Sequence, residues 1–530
     1  MTARPNFLLF ITDQQRADQL GCYGNSVLRT PHIDSLAASG TRFNRFYVAT
    51  GICMPNRATL MTGRMPSVHG VRANGVPLSR DSTTFIELLR AGGYATALIG
   101  KAHLQNIGDV GNPRRWTNVN GGQEPPPPLM QATKEHRAGR AYDNEWTPYW
   151  RRDPEYRVQT PFYGFEHVDL CTYHGDQVGG DYDRWLAQRH PDPDKLRGRE
   201  HALPDNRITA PQCWHTAIPE ELYPTRYIAD HSASWIERHA AETPDQPFFL
   251  QCSFPDPHHP WTPPGRYWDL YDPDEIPLPA SFNQERLPLL AQAVHQHTRD
   301  GGNRWGMQPF AVNERECREI IALNYGLISM IDDSVGSVMR SLQASGLDKN
   351  TVVIFTSDHG DFMGDRGMML KGPAHYQGVI RVPFIWSDPT SPAAATSDDL
   401  GGTIDIAQTV LDRARLAPYD GIQGRSLLPA IERKALPERG GMLVEQETTV
   451  FGFGRPQPFR IRTLVSKRWR LSFSDDPELC ELYDLETDPH EMQDRWRDPD
   501  YGAIRAELLS ELTRQMLLHQ DRSPLPTAQA

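Results

Sequence analysis

The 530-residue chain sets 55 basic against 67 acidic side chains, a formal net charge of −12, with 38% hydrophobic and 9% aromatic residues. That balance argues against a surface-wide nucleic-acid grip, which needs clustered Lys and Arg, but it leaves room for a local cationic pocket. Its apolar content excludes wholesale disorder, and 45 prolines with 41 glycines point to a loop-rich chain rather than a helical array.

Met1 to Pro5 runs straight into the short apolar block before Asp13, with no signal core or cleavage site, and no stretch is long enough to span a membrane. Seven scattered cysteines (Cys22, Cys53, Cys171, Cys213, Cys252, Cys317 and Cys480) form no CxxC pair. A disulfide scaffold or structural zinc site is therefore not expected, and a reducing, cytoplasmic setting is.

Along the chain, Phe7 to Ile11 predicts a buried parallel strand that ends at Thr12-Asp13. A helix is expected from Pro31, and another over Thr83 to Ala91, stopped by Gly92-Gly93. Tyr94 to Ile99 predicts a strand finishing at Gly100-Lys101-Ala102-His103. Leu104 to Pro219 has little periodicity, a Pro125 to Pro128 run and many Trp, Tyr and Arg residues. It reads as insertions over the sheet beside a substrate pocket. Gln246 to Phe254 predicts a strand emptying into Pro255-Asp256-Pro257-His258-His259-Pro260, Glu314 to Gln343 a long helix, and Asn350 to Gly360 a strand followed by a polar loop. Thr390 to Gly402 reads as a surface loop.

Beyond residue 435, short strands are expected at Met442 to Glu445, Arg460 to Val465, Trp469 to Phe473 and Leu482 to Leu485, then a helix over Tyr501 to His519. The expected fold is α/β: a large, mixed, mainly parallel sheet flanked by helices over residues 1–435, with 104–219 as the insertion. A small antiparallel sheet plus helix follows over 436–530. Four predicted strands deliver polar or ionisable residues at their carboxyl ends, the usual place for an α/β active site.

Cys53 opens a predicted helix in Cys53-Met54-Pro55-Asn56-Arg57, continuing to Thr62-Gly63. A helix N-terminus and a guanidinium one turn on both favour an anion at position 53, so this cysteine reads as a reactive side chain rather than a core one. Asp13 and the Asp358-His359 pair could each be a cap or turn, but converging carboxylates also suit a hard divalent cation.

Cys53, Pro55, Arg57, Thr62 and Gly63 together resemble the signature of the sulfatase family, within the alkaline-phosphatase-like superfamily. The resemblance implies that a maturation enzyme oxidises Cys53 to formylglycine, whose hydrate is the nucleophile. It implies that Asp13, Gln14, Asp358, His359 and residue 53 hold one divalent metal ion, calcium first, with manganese and magnesium also compatible. Many arylsulfatases carry an Asp where this chain has Gln14. Asp-Gln, as here, is common in choline sulfatases and phosphonate monoester hydrolases.

Lys101 and His103 match the family's Lys-x-His, His258 the histidine facing the leaving group, and Lys371 the lysine after the Asp-His loop; Asn74 is a candidate contact to a substrate oxygen. By the same resemblance Lys101 and Lys371 neutralise the sulfate, Arg57 holds the hydrate, His258 protonates the alcohol and His103 releases sulfate. Tyr376-Gln377 departs from the family's Tyr-Glu, and Glu481 to Glu491 looks like its C-terminal subdomain. The resemblance covers Asn6 to Glu491, apart from Leu104 to Pro219.

The expected activity is hydrolysis of a small-molecule sulfate monoester, with a phosphonate monoester or phosphodiester as the alternative substrate. A catalytically silent binding protein would need a lost motif position, and none is lost. The alcohol half is left open between aromatic, choline-like and sugar groups. Appended terminal segments of this superfamily often build homo-oligomers.

Overall fold

The computed structural model describes residues 4–108, 126, 129, 132, 133, 135–153, 155–391, 394–448 and 459–528. Most of the Pro125 to Pro128 run therefore lies outside the described residues. Nine strands form the main sheet: β1 (Asn6–Thr12), β2 (Thr41–Phe43), β3 (Ala95–Lys101), β4 (His167–Thr172), β5 (Gly179–Gly180), β6 (Phe248–Ser253), β7 (Thr351–Ser357), β8 (Phe384–Ser387) and β9 (Ala395–Ser397). Their spatial order is β9-β2-β8-β7-β1-β6-β3-β4-β5. The central run β7-β1-β6-β3-β4 is parallel throughout, and β8 and β5 pair antiparallel near the two edges.

The central strands are apolar on both faces because both faces are covered. Phe7, Leu9 and Ile11 of β1 enter one core, and Leu8 and Phe10 the other. The first core is closed by helices α2 (Cys53–Thr62) and α3 (Phe85–Ala91). The second is closed by α1 (Pro31–Ser39), α4 (Pro224–Glu242) and α5 (Glu314–Ala344). Local signals agree with these helices: Thr84 and Glu87 make a capping box on α3, as do Asn313 and Glu316 on α5, and Pro31 sits in the first turn of α1.

A second sheet of β10 (Met442–Glu447), β11 (Arg460–Val465), β12 (Trp469–Ser474) and β13 (Glu481–Asp484) is antiparallel and carries α6 (Gly502–Leu518). Its apolar side, including Val444, Leu464, Leu482 and Leu512, joins the first core. No helix among the described residues is long and apolar enough to cross a membrane.

Two stretches differ from expectation. Within Leu104 to Pro219, His167–Thr172 is a strand of the sheet itself, paired parallel with β3 from Ala97 opposite His167 to Lys101 opposite Cys171. Its apolar run is broken by Asp169, whose carboxylate meets His231 at 2.8 Å, so the strand carries no apolar signature. Thr390 to Gly402 holds the edge strand β9, parallel to β2, and Gly401–Gly402 pairs with Phe46–Tyr47. Ala-Thr-Ser offers no apolar block, and backbone hydrogen bonding alone makes it a strand.

Gly100 stands one residue before Lys101 with φ +110°, and a Cβ there would lie 1.9 Å from the Ser253 carbonyl oxygen of β6. Gly100→Ala is expected to cost about 2 kcal/mol or more, from a positive φ plus a clash with backbone that cannot yield. Gly346→Ala, with φ +71° but nothing within 4 Å, should cost only about 1 kcal/mol. Equal shifts of the denaturation midpoint in the two variants would show that the close approach of β3 and β6 is not what demands glycine.

Candidate active site

Five adjacent parallel strands end on one edge of the sheet, and each supplies chemistry there. β1 leads into Asp13 and Gln14, β7 into Asp358 and His359, β6 into His258 and His259, β3 into Lys101 and His103, and β4 into His174. Helix α2 brings Cys53 to the same place from its first residue. All ten residues of α2 are buried, and Gly63 ends it in the left-handed conformation at φ +58°.

Arg57 ties the strand ends together. Its Nε donates to Asp358 Oδ2 at 2.7 Å, Nη2 reaches Asp13 Oδ2 at 3.4 Å, and Nη1 donates to the Lys101 carbonyl at 3.0 Å and Ser253 Oγ at 3.1 Å. Lys101 Nζ sits 2.5 Å from both Asp13 Oδ2 and His174 Nε2. Burial pushes the Asp13 carboxyl up, but Lys101, Arg57 and Lys371 outweigh it and hold the group well below the usual carboxylate range.

The other Asp13 oxygen is bare. Asp13 Oδ1 and His359 Nε2 are buried with no hydrogen-bond partner, and they lie 3.6 Å apart. Asp358 Oδ1 is also 3.6 Å from that nitrogen. His359 donates through Nδ1 to the Gly360 carbonyl at 2.8 Å, which leaves the lone pair on Nε2. Two buried polar atoms that face each other and have no hydrogen-bond partner fit a cation, and the donor set suits a divalent one.

Gln14, held at φ +66°, accepts from Lys371 Nζ on Oε1 at 2.8 Å and keeps a second lone pair there for such an ion. Its amide nitrogen donates to Asp361 Oδ2 and faces His259 Nδ1 at 3.4 Å. An Asp at position 14 would set a second carboxylate against Asp361, which gives the Gln a physical reason.

Asp13, His174 and His258 form a second group of close donor atoms. Here the Lys101 ammonium already occupies the space between Asp13 and His174. The His174 and His258 rings stack 3.5 Å apart with only 9° between their planes, so both cannot aim in-plane lone pairs at one ion.

Cys53 is 1% exposed. Asn74 Nδ2 donates to its sulfur at 3.6 Å, and Asn74 Oδ1 accepts the Met54 N–H at 3.3 Å. His103 and His359 stand near enough to favour the anionic form of the sulfur. Burial opposes ionisation of the thiol, yet Lys371 and His103 bring it well below its ordinary value. His258 donates from Nδ1 to the His259 carbonyl at 2.5 Å and takes Lys371 Nζ at Nε2 across 3.0 Å. Burial, with His174 and Lys371 alongside, keeps that ring neutral well below the usual histidine range.

Every residue singled out in the sequence thus lies in or against one cluster. Three others were not singled out. Asn56 donates to the Asp358 carbonyl at 2.5 Å while its Oδ1 accepts from Ala49 N and Thr403 Oγ1, tying α2 to the Asp358 loop. His174 braces Lys101. Glu145, fully buried, accepts three successive backbone N–H groups from His103 to Gln105. All three act through residues already identified, and His174 and Glu145 lie in the stretch without periodicity. The missing acid at position 377 has a neighbour in Glu491, whose Oε2 accepts the Gln377 N–H at 2.8 Å from the C-terminal unit.

The sulfatase family profile matches residues 5–416, and a profile described as N-sulphoglucosamine sulphohydrolase, C-terminal, matches residues 364–517. The chain belongs to the sulfatase family and is a sulfuric ester hydrolase. It is 28% identical to an arylsulfatase of Clostridium perfringens, over 96% of this chain and 94% of that one. With a choline-sulfatase of Rhizobium meliloti it shares 24% identity, over 99% and 89%. The solved phosphonate monoester hydrolase of Agrobacterium radiobacter superposes with a TM-score of 0.75 at 25% identity, covering 98% of this chain and 97% of that one.

Asp13→Asn and Asp358→Asn each remove one charge from the orphaned cluster. Bound divalent metal, measured by elemental analysis of purified protein, should fall together with turnover in both. Full activity in exhaustively chelated protein shown to be metal-free would refute the assignment.

Proposed function

We propose that the chain is a formylglycine-dependent, metal-assisted sulfatase that releases sulfate from a small-molecule sulfate monoester. The observation that carries this reading is the convergence on Cys53. Asn74 hydrogen-bonds its sulfur, His103 and His359 stand near enough to favour its anionic form, and Asp13 and His359 face each other with atoms that no hydrogen bond satisfies. Oxidation of Cys53 by a maturation enzyme would place the reactive oxygen there. A divalent cation held by Asp13, Gln14, Asp358, His359 and residue 53 would supply Lewis-acid polarisation of the sulfuryl oxygens.

The remaining roles fall to this chain's own side chains. Lys101 and Lys371 present ammonium groups toward the anion, and Arg57 fixes the two carboxylates to α2. Asn74 orients residue 53 and the substrate oxygen beside it. His258 is the leaving-group acid: Lys371 shares a proton with its Nε2, and the ester's negative charge offsets the repulsion that keeps the ring neutral. His103 takes a proton from residue 53 as sulfate departs. Few, scattered cysteines with no CxxC pair support a reducing, cytoplasmic setting. Calcium remains the first choice of metal, and a homo-oligomer remains part of the reading.

Phosphonate monoester or phosphodiester hydrolysis is the second reading, favoured by the Asp13-Gln14 pair and by the likeness to a phosphonate monoester hydrolase. Turnover of a sulfate ester and a phosphonate monoester with one common leaving group separates the two, and the larger kcat/KM identifies the substrate.

Two outcomes test the chemistry. The peptide carrying residue 53, from protein made with a maturation enzyme, should weigh less by the thiol-to-aldehyde difference; unmodified thiol in fully active protein would sink the mechanism. His258→Ala should slow esters of basic alkoxides by roughly 10²-fold or more and esters of good leaving groups far less. A uniform loss across leaving groups would remove His258 from that role.

A further inference from the structure

We infer that Glu145 is a positioning residue for His103: its buried carboxylate fixes the backbone that aims this imidazole at residue 53. The inference rests on the reading of His103 as the base that acts once the alcohol has left. Glu145 is 0% exposed, and among the described residues no ion pair reaches it. A carboxylate so placed is costly unless hydrogen bonds replace its water. Three do: Oε2 accepts the His103 N–H at 2.7 Å, and Oε1 accepts those of Leu104 at 2.7 Å and Gln105 at 2.8 Å.

Three consecutive N–H groups can converge on one carboxylate only if the backbone curls around it. His103 has φ +54°, a left-handed conformation that a residue with a side chain holds only where its surroundings impose it. The carboxylate is fixed in turn. Asn144 donates from its backbone N–H to Gln105 Oε1 at 2.9 Å, Gln105 Nε2 donates to the Ala141 carbonyl at 2.8 Å, and Trp150 Nε1 donates to the Asn144 carbonyl at 2.8 Å. The 141–145 segment and the strand end at 103–105 are therefore one knot. The His103 side chain leaves that knot with its Nδ1 buried and unpartnered, near enough to Cys53 to favour the thiolate.

Glu145→Gln keeps the shape but turns an NH2 group toward at least one of the three N–H donors. The curl should relax and move the imidazole, while Lys101, His258 and the cation cluster stay in place. Expected is a kcat lowered by about tenfold or more but by less than in His103→Ala, equally for good and poor leaving groups. Alcohol should appear as a stoichiometric burst, with sulfate retained on the residue 53 peptide by mass. Metal content should match the unsubstituted protein. Glu145→Gln added to His103→Ala should cost no further kcat, because both act through one group.

A merely structural glutamate would lower Tm without a burst and would add its loss to that of His103→Ala. Either that result or an unchanged kcat overturns the inference. If His103→Ala itself gives no burst, the reading of His103 fails, and the double variant still judges Glu145. Should Glu145→Gln not fold, Gln105→Ala loosens the same knot without touching the carboxylate. An additive loss there overturns the inference equally.

Discussion

Asp13 divides its two oxygens between two jobs, and the site is organised around that division. Oδ2 is held by Lys101 and approached by Arg57, while Oδ1 is left bare toward His359. Buried carboxylates are tolerated only when their charge is matched and their lone pairs are used. Here the match comes from two cations fixed on different elements, one on β3 and one on α2. Because Arg57 also grips Asp358, the same guanidinium sets the spacing of the two carboxylates that face the cation position.

Charge balance in this interior is close. Arg57, Lys101 and Lys371 stand against Asp13, Asp358 and Asp361, all nearly or wholly buried. Burial pushes the Asp361 carboxyl up to about 6, so it is ionised near neutral pH. A divalent cation held there would add positive charge that an anionic ester can offset. A sulfate monoester and a phosphonate monoester each bring one negative charge, so this balance accepts both. Discrimination must come from the reacting centre's shape and from the alcohol side of the pocket.

The sheet makes the convergence possible. Five neighbouring parallel strands point their carboxyl ends the same way, so residues more than three hundred positions apart meet without long reaches. Gly100 allows β3 to run close against β6, and the left-handed residues Gln14 and His103 turn the chain sharply as soon as the strands end. Such conformations persist where the packing over-determines them. The Asp358 carboxylate, which accepts the Gln14 N–H at 3.1 Å, and the Glu145 carboxylate, which accepts three N–H groups from His103 on, supply that over-determination.

The sequence by itself determined the α/β class, the four apolar strands with ionisable residues at their ends, and the antiparallel unit with its terminal helix. Continuous apolar blocks bounded by glycine, proline and charge make those legible. Cys53 with Arg57 was legible from its own local pattern, whereas Asp13, Gln14, Asp358, His359, Lys101, His103, His258, Lys371 and Asn74 became candidates through the resemblance to the sulfatase signature. The folded chain alone reveals that His167–Thr172 is a fifth parallel strand, that His174 and Glu145 support Lys101 and His103, and that Asn56 locks α2 to the Asp358 loop. Their partners lie mostly tens to hundreds of positions away and are joined by hydrogen bonds, which leave no periodicity in a sequence. Apolar burial repeats along a strand and can be read there, whereas polar satisfaction is settled only when the chain closes on itself.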